Sequence, residues 1–234
     1  MKQIRILNVV FDTEIAPYET PAFRGAVIQK VGLEHEFFHN HDNQALSGSA
    51  FHYRYPLIQY KRQRRKPAIL FIEKGIDEAK HFFSNPDWTL HFASRQYQAA
   101  IASMDVKQYP IGVTDKEYQY TLRRWMGLNQ KNYHQFKKLD DQEAQVQLLE
   151  KILPGHILGF AKGVGHWFER RFDLTINELL GVRTSSFEGV KIMTFDLRFS
   201  TNLLLPPIIG LGKGVSQGYG VVQFYREAET SNQN

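Results

Sequence analysis

Gly210-Leu-Gly-Lys-Gly-Val-Ser-Gln-Gly-Tyr-Gly220 places five glycines in eleven residues near the end of a 234-residue chain. Such a run permits positive φ and lets backbone N–H groups approach a ligand closely, and Lys213 adds a fixed positive charge, so the loop suits phosphate. It is neither of two familiar nucleotide loops. The dinucleotide fingerprint needs its third glycine three residues after the second, and the P-loop needs Gly-Lys followed by Ser or Thr. Residues 219–225 predict a final strand, so no helix N-terminus follows to hold an anion. The plainer alternative is a flexible connection into that strand.

Working back from the loop, residues 172–183 and 190–200 predict two strands; in the second, Met193, Phe195, Leu197 and Phe199 alternate with Ile192, Thr194, Asp196 and Arg198. Before them, Asp140-Asp141 is expected to cap a helix carrying Val146, Leu149, Ile152 and Leu153. Pro154-Gly155 should break or kink it before a second apolar helical stretch to about Gly163. A strand is expected over 118–125, and residues 103–114, with Pro110 and Gly112, read as a boundary. Nearer the start, residues 4–11 predict a strand. Thr20-Pro21 then supplies an N-cap and a first-turn proline for a helix with Phe23, Ala26, Val27 and Val31, stopping at Gly32. A polar stretch, 35–49, reads as a short helix or irregular loop. Residues 52–60 and 68–72 predict two strands joined by 61–67, then a helix over 77–83 and a strand over 88–97. This β-α-β-β-α-β order is the split βαβ, or ferredoxin-like, arrangement. The similar order downstream predicts an α+β fold of two tandem ferredoxin-like (βαββαβ) domains. They would occupy 1–102, with the histidine loop and a basic hairpin, and 103–227, with the glycine-rich loop; 228–234 would be a disordered tail.

Composition narrows the function classes. With no cysteine there is no disulfide framework, no thiol nucleophile and no cysteine-based metal site. No stretch approaches the roughly 18 apolar residues of a membrane span, and Met1-Lys2-Gln3-Ile4-Arg5 does not open a signal peptide, so a cytoplasmic protein is expected. The net charge of +5 is unevenly distributed. Residues 51–74 hold seven cations (Arg54, Lys61, Arg62, Arg64, Arg65, Lys66, Lys74) against Glu73, while the remaining residues sum to −1. A concentrated cationic segment beside Tyr53, Tyr55 and Tyr60 suits an anionic polymer with stackable bases; the alternative is a solvated hairpin tip.

Three of the nine histidines, His35, His39 and His41, fall within seven residues. His35-Glu-Phe-Phe-His39 matches H-E-x-x-H, two histidines one helical turn apart that would bind zinc in a metallopeptidase. The longer metzincin form is absent, since Asp42 and Ala45 stand where it needs Gly and His. The nearest downstream glutamate that could serve as third ligand is Glu73, beyond the expected hairpin. No metal or other cofactor is therefore expected.

Gly-hydrophobic-Gly, five residues, then Gly-hydrophobic-Gly close to the C-terminus resembles the signature loop of the CRISPR repeat-associated RNA-binding superfamily. Gly210 to Gly220 fits it without a gap. The tandem ferredoxin-like halves, the stretch Tyr53-Arg-Tyr-Pro-Leu-Ile-Gln-Tyr-Lys61 and the histidines after the first helix extend the resemblance to the endoribonucleases that cut CRISPR repeat transcripts into guide RNAs. That resemblance implies a metal-independent reaction in which the RNA 2′-hydroxyl attacks the adjacent phosphate, leaving a 2′,3′-cyclic phosphate and a 5′-hydroxyl. It implies His39 and His41 as general acid and base, with Tyr53 and Arg54 orienting or neutralising the scissile phosphate. RNA would be held by Arg54, Lys61, Arg62, Arg64, Arg65 and Lys66, and by the loop residues Gly210, Gly212, Lys213, Gly214, Gly218 and Gly220. The partner implied is CRISPR repeat RNA. Other CRISPR effector subunits and a homodimer remain open, as does a non-catalytic RNA-binding subunit with the same fold.

Overall fold

The computed structural model of the chain describes residues 1–39, 55–187 and 189–225. The first strand, β1 (Lys2–Phe11), is apolar on both sides because both are covered: Ile4 and Ile6 enter one core, Leu7, Val9 and Phe11 another. α1 (Thr20–Val31) follows with Pro21 in its first turn, and the Gly32 N–H closes it on the Ile28 carbonyl at 2.9 Å. Its N-cap is Glu19 in place of the expected Thr20. The Glu19 carboxylate accepts from the Ala16 N–H at 2.6 Å and pairs with Arg95, which fixes the chain one residue earlier. α2 is one turn, Glu36–His39. β2 (Ile58–Gln63) and β3 (Lys66–Ile72) form an antiparallel hairpin, and β3 returns along β1 with Leu7 opposite Phe71. α3 (Gly75–Phe83) packs Phe82 against Phe11. Where one strand is expected over 88–97, the chain turns at Ala93 and Ser94, both at positive φ, and makes a separate hairpin, β4 (Thr89–Phe92) with β5 (Arg95–Gln98).

β6 (Ile101–Trp125) leads into α4 (Gln130–Phe136), α5 (Gln142–Gly163), β7 (Leu174–Phe187), β8 (Val190–Leu204), a short 3-10 turn (Val215–Gln217) and β9 (Val221–Phe224). Residues 103–114, expected as a boundary, lie inside β6. Its first half pairs with β1, from Phe11 opposite Ile101 to Lys2 opposite Ile111; from Gly112 onward it pairs with β8 and then β9. Pro110 is tolerated because that stretch of β6 is a sheet edge, where a missing N–H costs no ladder bond.

The first sheet runs β2-β3-β1-β6 and the second β7-β8-β6-β9, antiparallel throughout. Numbered within each half, both follow the order 4-1-3-2 of the ferredoxin-like fold, and β6 is the last strand of one half and the first of the other. α1 and α3 are the two crossovers of the first half. In the second half α4 and α5 make the first crossover, and the other, between β8 and β9, is the glycine-rich segment. It stands where a helix would.

α5 is not broken at Pro154 but runs on to Gly163. The Asp141 side chain caps it, accepting from the Glu143 and Ala144 N–H groups. A helix-interior proline costs about 3 kcal/mol. Leu149, Leu153, Ile157 and Phe160 are all fully buried on one face, each contributing about 1.5–3 kcal/mol, so the stripe outweighs the break. These residues share one core with Ile4, Ile6, Leu70 and Ile72 of the first half. Among the described residues no helix is long and apolar enough to cross a membrane.

Candidate functional site

The glycine-rich loop lies against β2, across the seam between the halves. Gln59 Oε1 accepts from the Gly210 N–H at 3.1 Å, the Tyr55 hydroxyl donates to the Gly210 carbonyl at 2.8 Å, and Lys61 Nζ donates to the Val215 carbonyl at 3.4 Å. Close approach accounts for the glycines. A Cβ on Gly210 would press on the Val215 side chain and lie 2.9 Å from Lys61 Nζ; one on Gly220, at φ +63°, would overlap the Leu211 carbonyl oxygen. Seven of the eleven loop N–H groups, those of residues 210, 211, 213, 217, 218, 219 and 220, are bonded to protein acceptors. Much of the expected phosphate cradle is thus occupied by the protein, and the exposed Lys213 ammonium is the loop's charged contribution to the surface.

Lys61 does not join the other hairpin cations at the surface. It is 1% exposed, and burial pushes its ammonium down from 10.5 to about 7. Burial likewise raises the Tyr55 and Tyr60 hydroxyls above their usual range. Arg62, Arg64 and Arg65 are exposed and Lys66 is half-buried. Arg62 donates to the Ile15 carbonyl, Arg65 pairs with Glu14 at 2.9 Å and Lys66 with Asp12 at 2.6 Å. Among the described residues Arg64 has no such partner. Arg64 and Arg65 form the two-residue turn, at φ 46° and 72°. A hairpin turn with both central residues at positive φ favours Asn-Gly, and arginine there costs roughly 1–2 kcal/mol per residue. Two cations thus stand where turn chemistry would choose other residues.

A second group of cations, missed from the sequence, borders the loop. Arg123 and Arg124 both oppose Asp196, because β6 bulges between Leu122 and Trp125, and Arg124 takes φ 51°. Asp196 is 7% exposed, accepts from the Arg124 N–H at 2.7 Å and lies within 4 Å of the Arg123 and Arg183 guanidiniums. The Arg124 guanidinium stacks over Tyr219, 4.3 Å from its ring centre. His156 receives the Trp125 indole N–H; burial, then the charge of Lys213, pushes it down to about 4. No local signal singles out these arginines, since the bulge and the strand β7 bring them together.

The histidines separate. His39 is 6% exposed, and its Nε2 donates to the Leu33 carbonyl at 2.8 Å, while Arg24 bonds the His39 carbonyl at 2.7 Å. His35 stacks on His81 of α3. The two imidazoles of His35-Glu-Phe-Phe-His39 thus have different partners, and the described residues do not assemble the metallopeptidase site. His41, Tyr53 and Arg54 lie outside the described residues.

Two ferredoxin-like units sharing a strand, with a glycine-rich loop closing the second unit onto the first, are the fold of solved CRISPR-associated Cas6 proteins. The chain belongs to the Cas6b family: residues 2–110 match the Cas6b N-terminal domain and residues 112–225 the Cas6b C-terminal domain. A crystal structure of Cas6b is similar at a TM-score of 0.84 and 26% identity, over 96% of this chain and 100% of that one. A second, of the CRISPR RNA processing endoribonuclease Cas6b, is similar at a TM-score of 0.71 and 23% identity with the same coverage. An uncharacterized protein of Methanocaldococcus jannaschii is 31% identical over 134 residues, 57% of this chain and 90% of that protein.

Proposed function

We propose that this chain is an endoribonuclease that cuts CRISPR repeat transcripts into guide RNAs, leaving 2′,3′-cyclic phosphate and 5′-hydroxyl ends without a metal. The observation that carries this proposal is the match of both halves, in order, to the two Cas6b domains across residues 2–225. Cleavage needs a base to take the 2′-hydroxyl proton and an acid to return one to the leaving 5′-oxygen, and histidine supplies either near neutral pH. His41 is the base. The His39 ring, buried with Nε2 held by Leu33, anchors the end of α2 from which His41 follows two residues later. Tyr53 and Arg54 orient and neutralise the scissile phosphate. Arg62, Arg64, Arg65 and Lys66 hold RNA phosphates from the β2–β3 hairpin, and Lys213, Arg123, Arg124 and Arg183 hold them beside the loop. Lys61 and the glycines contribute by building the seam on which these cations are mounted.

The test is incubation of the full chain with its host's repeat RNA in excess EDTA, followed by analysis of the new ends. Cleavage to a cyclic phosphate is the expected result. Tight binding with intact RNA would instead make the chain a non-catalytic RNA-binding subunit.

A further inference from the structure

The His35 ring lies over the His81 ring, with centroids 3.7 Å apart and planes inclined by 28°, and Glu78 Oε2 is 3.6 Å from His81 Nε2. One ligand atom from each of His35, Glu78 and His81 falls within 4.8 Å of the other two. We propose that these three side chains form a binding site for a single divalent transition-metal ion of the zinc class, bridging the segment before α2 to α3.

Two imidazoles and a carboxylate are a donor set that zinc, cobalt and nickel accept, with water completing a tetrahedron. Ligands about 2.1 Å from a tetrahedral ion stand about 3.4 Å apart. The His81–Glu78 pair is already at that spacing, and side-chain rotation brings in His35. Glu78 and His81 are three residues apart on α3, hence neighbours on one face of the helix. Their side chains and that of His35 are 23–30% exposed, sheltered yet open to an ion from solvent. Neither histidine belongs to the apolar cores. Glu34, 3.8 Å from His35 Nε2, adds a second carboxylate at the rim. The ion would brace α2, which ends in His39, against α3. None of the three ligands is a residue that the nuclease proposal uses, so this inference and that proposal succeed or fail separately.

The experiment uses the full chain, stripped with EDTA and dialysed. Zinc is titrated by calorimetry and cobalt by visible absorption, with circular dichroism confirming the fold of each variant. Wild type should bind one equivalent, give cobalt bands of tetrahedral intensity and gain melting temperature on adding zinc. His35→Ala, His81→Ala and Glu78→Gln should each weaken binding at least about tenfold and lose the bands, while His39→Asn keeps both. No saturable binding by wild type overturns the proposal. So does undiminished binding by His81→Ala, or loss in His39→Asn with retention in His81→Ala, which would return the metal to the His35–His39 pairing.

Discussion

Lys61 Nζ lies 3.4 Å from the Val215 carbonyl, buried between a strand of the first half and the loop of the second. An ammonium with one backbone acceptor is under-solvated there, and the fold favours its neutral form. Its folded value, about 7, lies below the unfolded 10.5, so between these values the unfolded chain binds the extra proton and stability rises with pH. The slope is at most about 1.4 kcal/mol per pH unit. The Tyr55 and Tyr60 hydroxyls, raised in the fold, begin to ionise in the unfolded chain only as pH nears 10, and that contribution is common to wild type and Lys61→Met. Urea unfolding from pH 7 to 9.5 should therefore show wild type gaining stability relative to Lys61→Met; parallel curves would remove the buried-ammonium account.

The same residue shows where the sequence stops being informative. In β2, Ile58, Gln59, Tyr60 and Lys61 are all buried. Ile58 and Tyr60 are apolar, and their face is readable from pattern. Gln59 and Lys61 are polar, and Lys61 is read from the sequence as part of the connection 61–67, because the loop that covers both lies about 150 residues downstream. The first βαββαβ order is readable because β1, α1, β2 and β3 keep clear periods and are punctuated by Pro21 and Gly32. β6 is not, since Pro110 and Gly112 break a strand locally and only its pairing with β1, β8 and β9 holds it together. The loop itself stands out for its glycines, but they serve close packing at the seam as much as any ligand. Arg123, Arg124 and Arg183 become a group only through a bulge and a partner strand.

His39 and His41 should differ. His41→Ala removes the base and should lower the single-turnover cleavage rate about a hundredfold or more, with RNA affinity nearly intact. His39→Ala loses a buried hydrogen bond, costing about 1–3 kcal/mol of stability, and should change the rate of the folded protein far less. Equal rate losses at unchanged stability would make His39 a reacting group.

Gly220 and Gly155 should respond oppositely to alanine. At Gly220 the left-handed conformation costs about 1–2 kcal/mol, and the overlap with the Leu211 carbonyl adds backbone strain, so about 3 kcal/mol or more should be lost. Gly155 lies within α5 with nothing near its Cβ position, and Gly155→Ala should gain about 0.5–1 kcal/mol. Denaturant midpoints decide both; a tolerated Gly220→Ala would mean that the loop is not seated as described.

Stability and RNA binding should trade against each other at the hairpin tip. Arg64 and Arg65 occupy turn positions that suit asparagine and glycine, and Arg65 gains only an exposed pair with Glu14, worth about 0–1 kcal/mol. The double variant Arg64→Asn/Arg65→Gly supplies the residues that the turn prefers and should raise the urea midpoint by relieving it. If both guanidiniums neutralise phosphates, the same change should weaken RNA binding and reduce the slope of log affinity against log salt by about 0.7–0.9 for each phosphate no longer neutralised. A more stable variant with an unchanged salt slope would take the tip out of the RNA interface. A variant less stable than wild type would mean that the arginines hold the turn through interactions stronger than the strain they carry.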